Sequence, residues 1–298
     1  GRSGEVWCWC VCYDPYIHHE DGIYLLIRNY CSSSYSDSKC SFCTGDDVRE
    51  KDDGRFWIQI KKMFENKIIP TINSLDELKK FYDLNFMIGD KDLALNLFRN
   101  QMINDGLKLT EITDIIKNKF NIRCKILPMS DDKVSTKLIT KNGDKLNFQN
   151  YFVEKKAKPR LSKVVYEGSR KADVSNQVIN LINQSDVLII GPSNPILSIG
   201  PILSIRKINQ SIQNHNNVVG ISPFVGKKAL KGPSVKNFID MGYSPDIQGL
   251  KKYYKNRVNK FYVHHGDSDN SSNVFEDQIV FKNENDSKIL ANRILQNE

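Results

Sequence analysis

Asp186-Val187-Leu188-Ile189-Ile190-Gly191-Pro192-Ser193-Asn194-Pro195 carries an unbroken apolar run that halts at a glycine and two prolines. Four aliphatic residues with no polar alternate predict a strand buried on both faces, the kind that fills a parallel sheet. After it, Ser198-Ile199-Gly200-Pro201 leads into Ile202, Leu203, Ile205, Ile208 and Ile212. That spacing predicts a helix opening near Pro201 with one face toward the core. The same alternation extends both ways. Upstream, Asp173 to Gln184 spaces Val174, Val178, Leu181 and Ile182 as a helix. Downstream come short strands at Val218 to Ser222 and Phe261 to His264, then a capped helix from Asp286 to Leu295. Helices alternating with doubly buried strands predict an α/β fold: a Rossmann-like, mostly parallel sheet with helices on both faces.

Residues 134–166 break the pattern. Val134 to Thr140 and Lys145 to Val153 alternate apolar and polar residues around Asn142-Gly143. Asn-Gly between such runs predicts a β-hairpin in which both turn residues accept positive φ. With Leu161 to Tyr166 as a further strand, this reads as a small antiparallel insertion. Before it, Leu109 to Phe120 predicts a helix with Thr110 as its cap, and Ile122, Cys124 and Ile126 alternate as a strand. Residues 1–70 read differently. Trp7, Trp9 and the alternating Cys8, Cys10 and Cys12 give no buried strand, and Cys31 to Cys43 is Ser-rich without an apolar period.

A chain of 298 residues with 40% hydrophobic content is long enough to bury a core without disulfide or metal staples, and one domain over 1–298 is expected. The net charge of +8 suits nucleic acid, an anionic membrane or phosphorylated small molecules. Lysines are scattered, no basic tail is present, and the only aromatic-basic grouping, Tyr253, Tyr254 and Arg257, reads as a helix face. Neither a nucleic-acid nor a membrane partner is therefore expected, and with no signal peptide in view the expected location is cytoplasmic. Six of seven cysteines precede residue 44. Cys40-x-x-Cys43 has no second pair to complete a zinc site.

Ligands of open parallel sheets sit beyond the carboxyl ends of the strands. One such place is Gly191 to Pro201, where Ser193, Asn194 and Ser198 offer hydrogen bonds and a helix N-terminus would favour an anion; the plainer alternative is a strand-to-helix turn with a capping serine. Another is Ser222 to Lys228 with Lys231-Gly232-Pro233, which sets Lys227, Lys228 and Lys231 beside glycines. It reads equally as a phosphate site or a basic surface loop. Gly89-Asp90-Lys91-Asp92-Leu93 flanks a cation with carboxylates just before a helix, where Asp90 is also a plausible cap. Asp131-Asp132 reads as an acidic turn, and His264-His265 near Asp267 and Asp269 as structural or exposed rather than ligating. Thr44-Gly45-Asp46-Asp47 pairs two carboxylates able to hold Mg²⁺ or orient a hydroxyl. No dinucleotide fingerprint and no Walker loop is present.

Several of these islands, taken in order, resemble the 2-phospho-L-lactate transferases of coenzyme F420 synthesis. The matching stretches are Gly89 to Ala94, Leu127-Pro128-Met129-Ser130-Asp131-Asp132 and Phe148-Gln149-Asn150-Tyr151-Phe152-Val153. Ile190 to Leu203, Ser222-Pro223-Phe224-Val225-Gly226 and Lys231-Gly232-Pro233 complete them, over residues 75 to about 265. The resemblance implies transfer of a 2-phospholactyl or enolpyruvyl phosphate group from a guanosine-diphospho donor to the deazaflavin FO, with release of GMP and a requirement for Mg²⁺. It places Asp46 and Asp47 as catalytic and metal-holding residues, and Asp47, Asp90, Lys91 and Asp92 at the deazaflavin. Gly191, Ser193, Asn194, Ser198, Lys227 and Lys231 would face the nucleotide. A homodimer would be consistent with such families.

The chain also departs from that pattern. Gly1-Arg2-Ser3-Gly4 stands where the family has Gly-Gly-Thr-Gly, Cys43 precedes Thr44 where the family has Asn, and its Pro-Asp-x-Asp-Thr segment is missing from residues 48–70. Residues 5 to about 70 read as divergent or translated out of frame. The rival expectation is a relative on the same fold that binds a nucleotide-sugar without turnover.

Overall fold

The computed structural model describes Val6–Trp9, Tyr24–Leu26, Glu77, Lys80 and residues 90–120, 125–148, 150–229, 233–281 and 284–296. Strands β1 (Val6–Trp9) and β2 (Tyr24–Leu26) come first, then helices α1 (Asp90–Asn104) and α2 (Leu109–Lys119). Strands β3 (Ile126–Pro128), β4 (Ser135–Thr140) and β5 (Lys145–Asn147) follow, then a π-helical turn (Asn150–Glu154), β6 (Leu161–Glu167), α3 (Asn176–Gln184) and β7 (Val187–Ile190). A second π-helical turn (Pro195–Ile199) runs into α4 (Gly200–Leu203) and α5 (Arg206–Gln213). Then come β8 (Val218–Ile221), the two-residue strands β9 (Phe224–Val225) and β10 (Lys228–Ala229), α6 (Ser234–Asp240) and α7 (Ile247–Tyr254). The chain closes with β11 (Lys260–Val263), β12 (Val274–Glu276) and α8 (Glu284–Gln296).

Five strands form one parallel sheet in the order β1-β7-β8-β11-β12. Val6 lies opposite Val187, Leu188 opposite Val218, and Phe261 between Gly220 and Val274. Because the side-chain period is two, each strand divides its apolar residues between two cores. Leu188, Ile190, Val218, Phe261, Val263 and Val274 face a core filled by α3 to α7 and the insertion. Val187, Ile189, Val219 and Tyr262 face Leu290 and Ile294 of α8. From β7 to β12 each strand is added on the same side of its predecessor, so right-handed crossovers put the connecting helices on one face. The helix after the last strand closes the other. The predicted α/β sheet, covered on both faces, is the observed one.

The sequence reading errs at β1. The stretch expected to hold no buried strand supplies Val6–Trp9, aligned in parallel with Val187 to Ile190. Valine and tryptophan are strong strand formers, and an edge beside β7 gives them a template whatever their period.

The insertion is an antiparallel sheet, β5-β4-β6, with Leu138 opposite both Leu146 and Val164. Its hairpin differs from expectation in two ways. The Thr140 N–H donates to the Asp144 carbonyl and the Gly143 N–H to the Thr140 carbonyl, both at 3.0 Å, so the loop has three residues. Of Asn142 and Gly143, only Gly143 has positive φ (91°); this is a turn followed by a left-handed glycine, the other common hairpin geometry. The second strand also stops at Asn147, short of Val153. The Asn147 side chain accepts the Asn150 N–H at 2.8 Å, turning the chain into the π-helical turn that buries Tyr151.

Helix ends moved for similar reasons. Ser175 caps α3, so Asp173 and Val174 stay outside it, although Val174 is buried as expected. At α2 the Glu111 carboxylate accepts the Lys108 N–H at 2.8 Å, while Thr110 uses its N–H and hydroxyl on Asp131 and caps nothing. Residues 121–124 lie outside the described residues; Ile126 is buried in β3, which pairs antiparallel with β2. Among the described residues no helix is long and apolar enough to cross a membrane.

Candidate active site

The loops after β7, β8 and β11 emerge at the carboxyl edge of the parallel sheet. Two of them, with the start of α7, enclose a cleft of about 230 Å³ lined by Ser222, Phe224, Lys227, Asp246, Asp267 and Ser268, among others. Strands β9 and β10 pair Val225 with Lys228 and Phe224 with Ala229, leaving Gly226-Lys227 as a two-residue turn. Both turn residues have positive φ, 53° and 63°. A lysine held there costs about 1–2 kcal/mol relative to the right-handed region. The turn is anchored by the Asp267 carboxylate, whose oxygens accept the Gly226 N–H at 2.9 and 3.1 Å. Lys227 therefore stands at the cleft on a fixed tip.

Opposite it, Asp246 caps α7, accepting the Gly249 N–H at 3.0 Å and the Ser244 hydroxyl at 2.7 Å. Burial pushes its carboxyl up, but these bonds and the nearby Lys227 charge outweigh that and hold it below the ordinary carboxylate range. Asp269, next along the β11–β12 loop, accepts from Lys251 at 2.7 Å and Gln248 at 2.6 Å. Burial again pushes up, and the Lys251 and Ser271 bonds bring the carboxyl down to about 2.

The loop after β7 is built differently from its sequence reading. Its helix opens at Pro195, not Pro201, and the cap is Asn194. The Asn194 Oδ1 accepts the N–H groups of Ile196 and Leu197 at 3.0 and 3.1 Å, and its carbonyl accepts those of Ser198 and Ile199. Every amide at this helix start is thus occupied, so the anion site expected near Pro201 does not exist in that form. The Asn194 Nδ2 donates to Asn237 Oδ1 at 3.1 Å, so both ends of the side chain serve the structure. Ser193 is half-buried, with its N–H turned back to the Gly191 carbonyl at 2.8 Å. Ser198 is 1% exposed, and among the described residues its hydroxyl has no hydrogen-bond partner. A buried orphan hydroxyl is costly unless something else satisfies it.

Of the other predicted residues, Asp90, Lys91 and Asp92 form the first turn of α1, with side chains outside the described set. Asp46, Asp47 and Lys231 also lie outside the described residues. Asp131 and Asp132 brace a turn, accepting from Thr110 and from the Asp173 N–H at 2.7 Å. The His264 and His265 rings lie 5.8 Å apart, and among the described residues no cluster of His, Cys, Asp or Glu is placed to hold a metal. Mg²⁺ commonly binds through one or two carboxylates plus substrate phosphates and waters, and an adjacent aspartate pair is a donor set of that chemistry. Sequence reasoning passed over Asp246 and named Asp267 only as a neighbour of the His264-His265 pair. Ser244-Pro245-Asp246 before Ile247 carries a capping signal, but the Asp267 contact joins residues 41 positions apart and leaves no local trace.

Residues 56–288 match the family model of the 2-phospho-L-lactate transferase CofD. The chain belongs to the 2-phospho-L-lactate transferase family. The match takes in β7 through β12 and the cleft, and leaves residues 1–55 outside it. The chain is 40% identical over 169 residues to a 2-phospho-L-lactate transferase of Methanopyrus kandleri, covering 56% of this chain and 54% of that one. It is 35% identical over 228 residues to the 2-phospho-L-lactate transferase of Methanococcus maripaludis, covering 74% of each. The chain thus spans little more than half the length of the M. kandleri family member. Among solved structures, a UPF0052-family protein of Bacillus halodurans aligns with a TM-score of 0.46 and 18% identity over 60% of this chain and 54% of that one.

Proposed function

We propose that this chain transfers a 2-phospholactyl or enolpyruvyl phosphate group from a guanosine-diphospho donor to the ribityl hydroxyl of the deazaflavin FO. The hydroxyl oxygen bonds to the distal phosphorus, the phosphoanhydride bond breaks, GMP leaves, and the hydroxyl proton passes to a base. The observation that carries this reading is the family match, which spans the loops at the carboxyl edge of the sheet and the cleft where Lys227 is held on its strained turn.

Phosphoryl transfer asks the protein chiefly for positioning and for charge opposite the phosphate oxygens. Lys227 is suited to the second task, with Lys231 beside it in sequence. Gly191, Ser193 and the orphan hydroxyl of Ser198 are suited to orienting the donor, whereas Asn194 serves them from behind as the cap that shapes the loop. Lys91, with Asp90 and Asp92, is assigned to the acceptor, and Asp46 and Asp47 to holding Mg²⁺ and orienting the hydroxyl. When bound, Mg²⁺ would neutralise charge on the donor phosphates.

The opening Gly1-Arg2-Ser3-Gly4 motivates a second reading, a relative that binds the nucleotide without turnover. Chromatography of nucleotides released from the donor separates the two. GMP formed only when FO and Mg²⁺ are both present supports transfer. GMP formed without FO indicates hydrolysis, and donor binding without any GMP establishes the binding-only relative.

A further inference from the structure

The π-helical turn after β7 leaves a specific gap in its own bonding. In an i→i+5 ladder the Ile196 carbonyl would look to residue 201, which is Pro201 and has no N–H. The gap is filled from outside. Tyr166, on β6 of the antiparallel insertion, donates its hydroxyl to the Ile196 carbonyl at 2.5 Å. Tyr253, on α7, donates to the neighbouring Pro195 carbonyl at 2.6 Å. The fit against Tyr166 is close enough to dictate the facing residue. A Cβ on Gly200 would lie 2.1 Å from the Tyr166 Oη and 2.7 Å from its Cζ.

A second contact runs from the insertion to the same turn. Asn237, fully buried on α6, donates to the Tyr151 hydroxyl at 2.7 Å and accepts from the Asn194 cap. Tyr253 in turn belongs to a run of ring contacts, with Tyr243 at 5.3 Å, Phe238 at 5.6 Å, and Phe224 beyond Phe238 at 5.2 Å. Phe224 lines the cleft. The two loops at the sheet edge are therefore connected to one another through packed rings and the Tyr253 hydroxyl, and to the insertion through the hydrogen bonds of Tyr166 and Tyr151.

We infer that Tyr166 and Tyr253 are positioning residues whose hydroxyls fix the turn after β7 and so set the loop Gly191 to Asn194 for the donor. The inference rests on the proposed assignment of that loop to the donor. It gives the insertion a role as a strut: the sheet stands behind the turn and supplies the donor that Pro201 lacks. Burial raises both phenols well above their ordinary range, with Tyr253 and Tyr243 adding to the effect on Tyr166 and Tyr243 to that on Tyr253. Both hydroxyls are therefore protonated, and donate, at neutral pH.

The test uses Tyr166→Phe, Tyr253→Phe and the double variant. Tyr254→Phe serves as control, since its ring lies in the same cluster but its hydroxyl holds neither carbonyl. Three quantities are compared: hydrogen–deuterium exchange of the peptide covering 191–200, GDP affinity by calorimetry, and kcat and KM with each substrate. Expected are exchange about tenfold faster at 191–200, GDP affinity and donor KM weakened about fivefold to tenfold, and kcat and FO KM within twofold of the parent. The control should match the parent throughout. Exchange unchanged at 191–200 overturns the inference. Faster exchange with GDP affinity unaltered, including no GDP binding by any form, also overturns it by reducing the tyrosines to a structural role. If the parent shows no turnover, the transferase reading fails, and exchange with GDP affinity still decides the role of the two hydroxyls.

Discussion

Lys227 occupies backbone that an L-residue enters at a cost, and it does so at the mouth of the cleft. Local strain of this kind persists where surrounding contacts enforce it, here the Asp267 clasp on Gly226. Stability and function should part company at this residue. Lys227→Gly is expected to leave the Tm unchanged or raise stability by up to about 1 kcal/mol, the relief of strain being offset by added chain entropy. The same change is expected to weaken donor KM about tenfold by removing a cation from the phosphates. Thermal melts with steady-state kinetics check both, and a destabilised variant with normal donor KM would remove Lys227 from the site. The sequence showed a cationic loop here but not its geometry. Lysine carries no preference for positive φ, so nothing at position 227 announced the turn. The apparent signal at Pro201 misled for a related reason. Two prolines, Pro195 and Pro201, each satisfy the first-turn preference, and the earlier one prevails because Asn194 precedes it with a capping side chain.

At the scale of elements, the buried strands were legible because a short run without any polar residue admits few other interpretations. Val187–Ile190 formed as predicted, Val218–Ile221 stops one residue short of the expected Ser222, and Ile202, Leu203, Ile205, Ile208 and Ile212 all point inward. Boundaries were less legible wherever a polar side chain bonds the backbone. Asn147 ended β5 early, Ser175 started α3 late, and Asn194 opened the turn after β7. Each is a competition between a side-chain bond and continued secondary structure, which local pattern cannot rank. The turn at Asn194 offers a direct test of that competition. Asn194→Ala strips two amides of their acceptor and Asn237 of a partner, and should cost about 2 kcal/mol by urea denaturation. Asn194→Asp, which keeps the acceptor, should recover at least about half of that loss. Equal losses in the two variants would show that the cap is not what stabilises the turn.

Taken whole, the molecule is basic, yet several of its carboxylates hold it together. The Asp240 side chain is nearly inaccessible and accepts the Leu161 N–H at 2.9 Å, Arg160 at 2.8 Å and Lys236 at 3.2 Å, joining α6 to the insertion. Burial pushes its carboxyl up, but these bonds prevail and leave it depressed, as they do Asp246 and Asp269. A carboxyl depressed in the fold contributes stability that is complete above the unfolded value, about 4, and lost as pH falls through the folded value. For Asp269 that value is about 2. Urea midpoints should therefore respond to these groups only below about pH 4, falling toward pH 2, and Lys251→Ala should make the fall shallower. A midpoint unchanged between about pH 5 and pH 2.5 would contradict this linkage. Family membership joins this architecture to a chemistry, and the chemistry has one decisive observable. The purified chain is incubated with FO, Mg²⁺ and, in separate reactions, the lactyl and enolpyruvyl guanosine-diphospho donors, and the deazaflavin is weighed by mass spectrometry. The expected product is a deazaflavin bearing a phosphodiester-linked lactyl or enolpyruvyl group, formed together with GMP. Deazaflavin recovered at its starting mass with both donors, from protein shown to be folded, would contradict the transferase assignment.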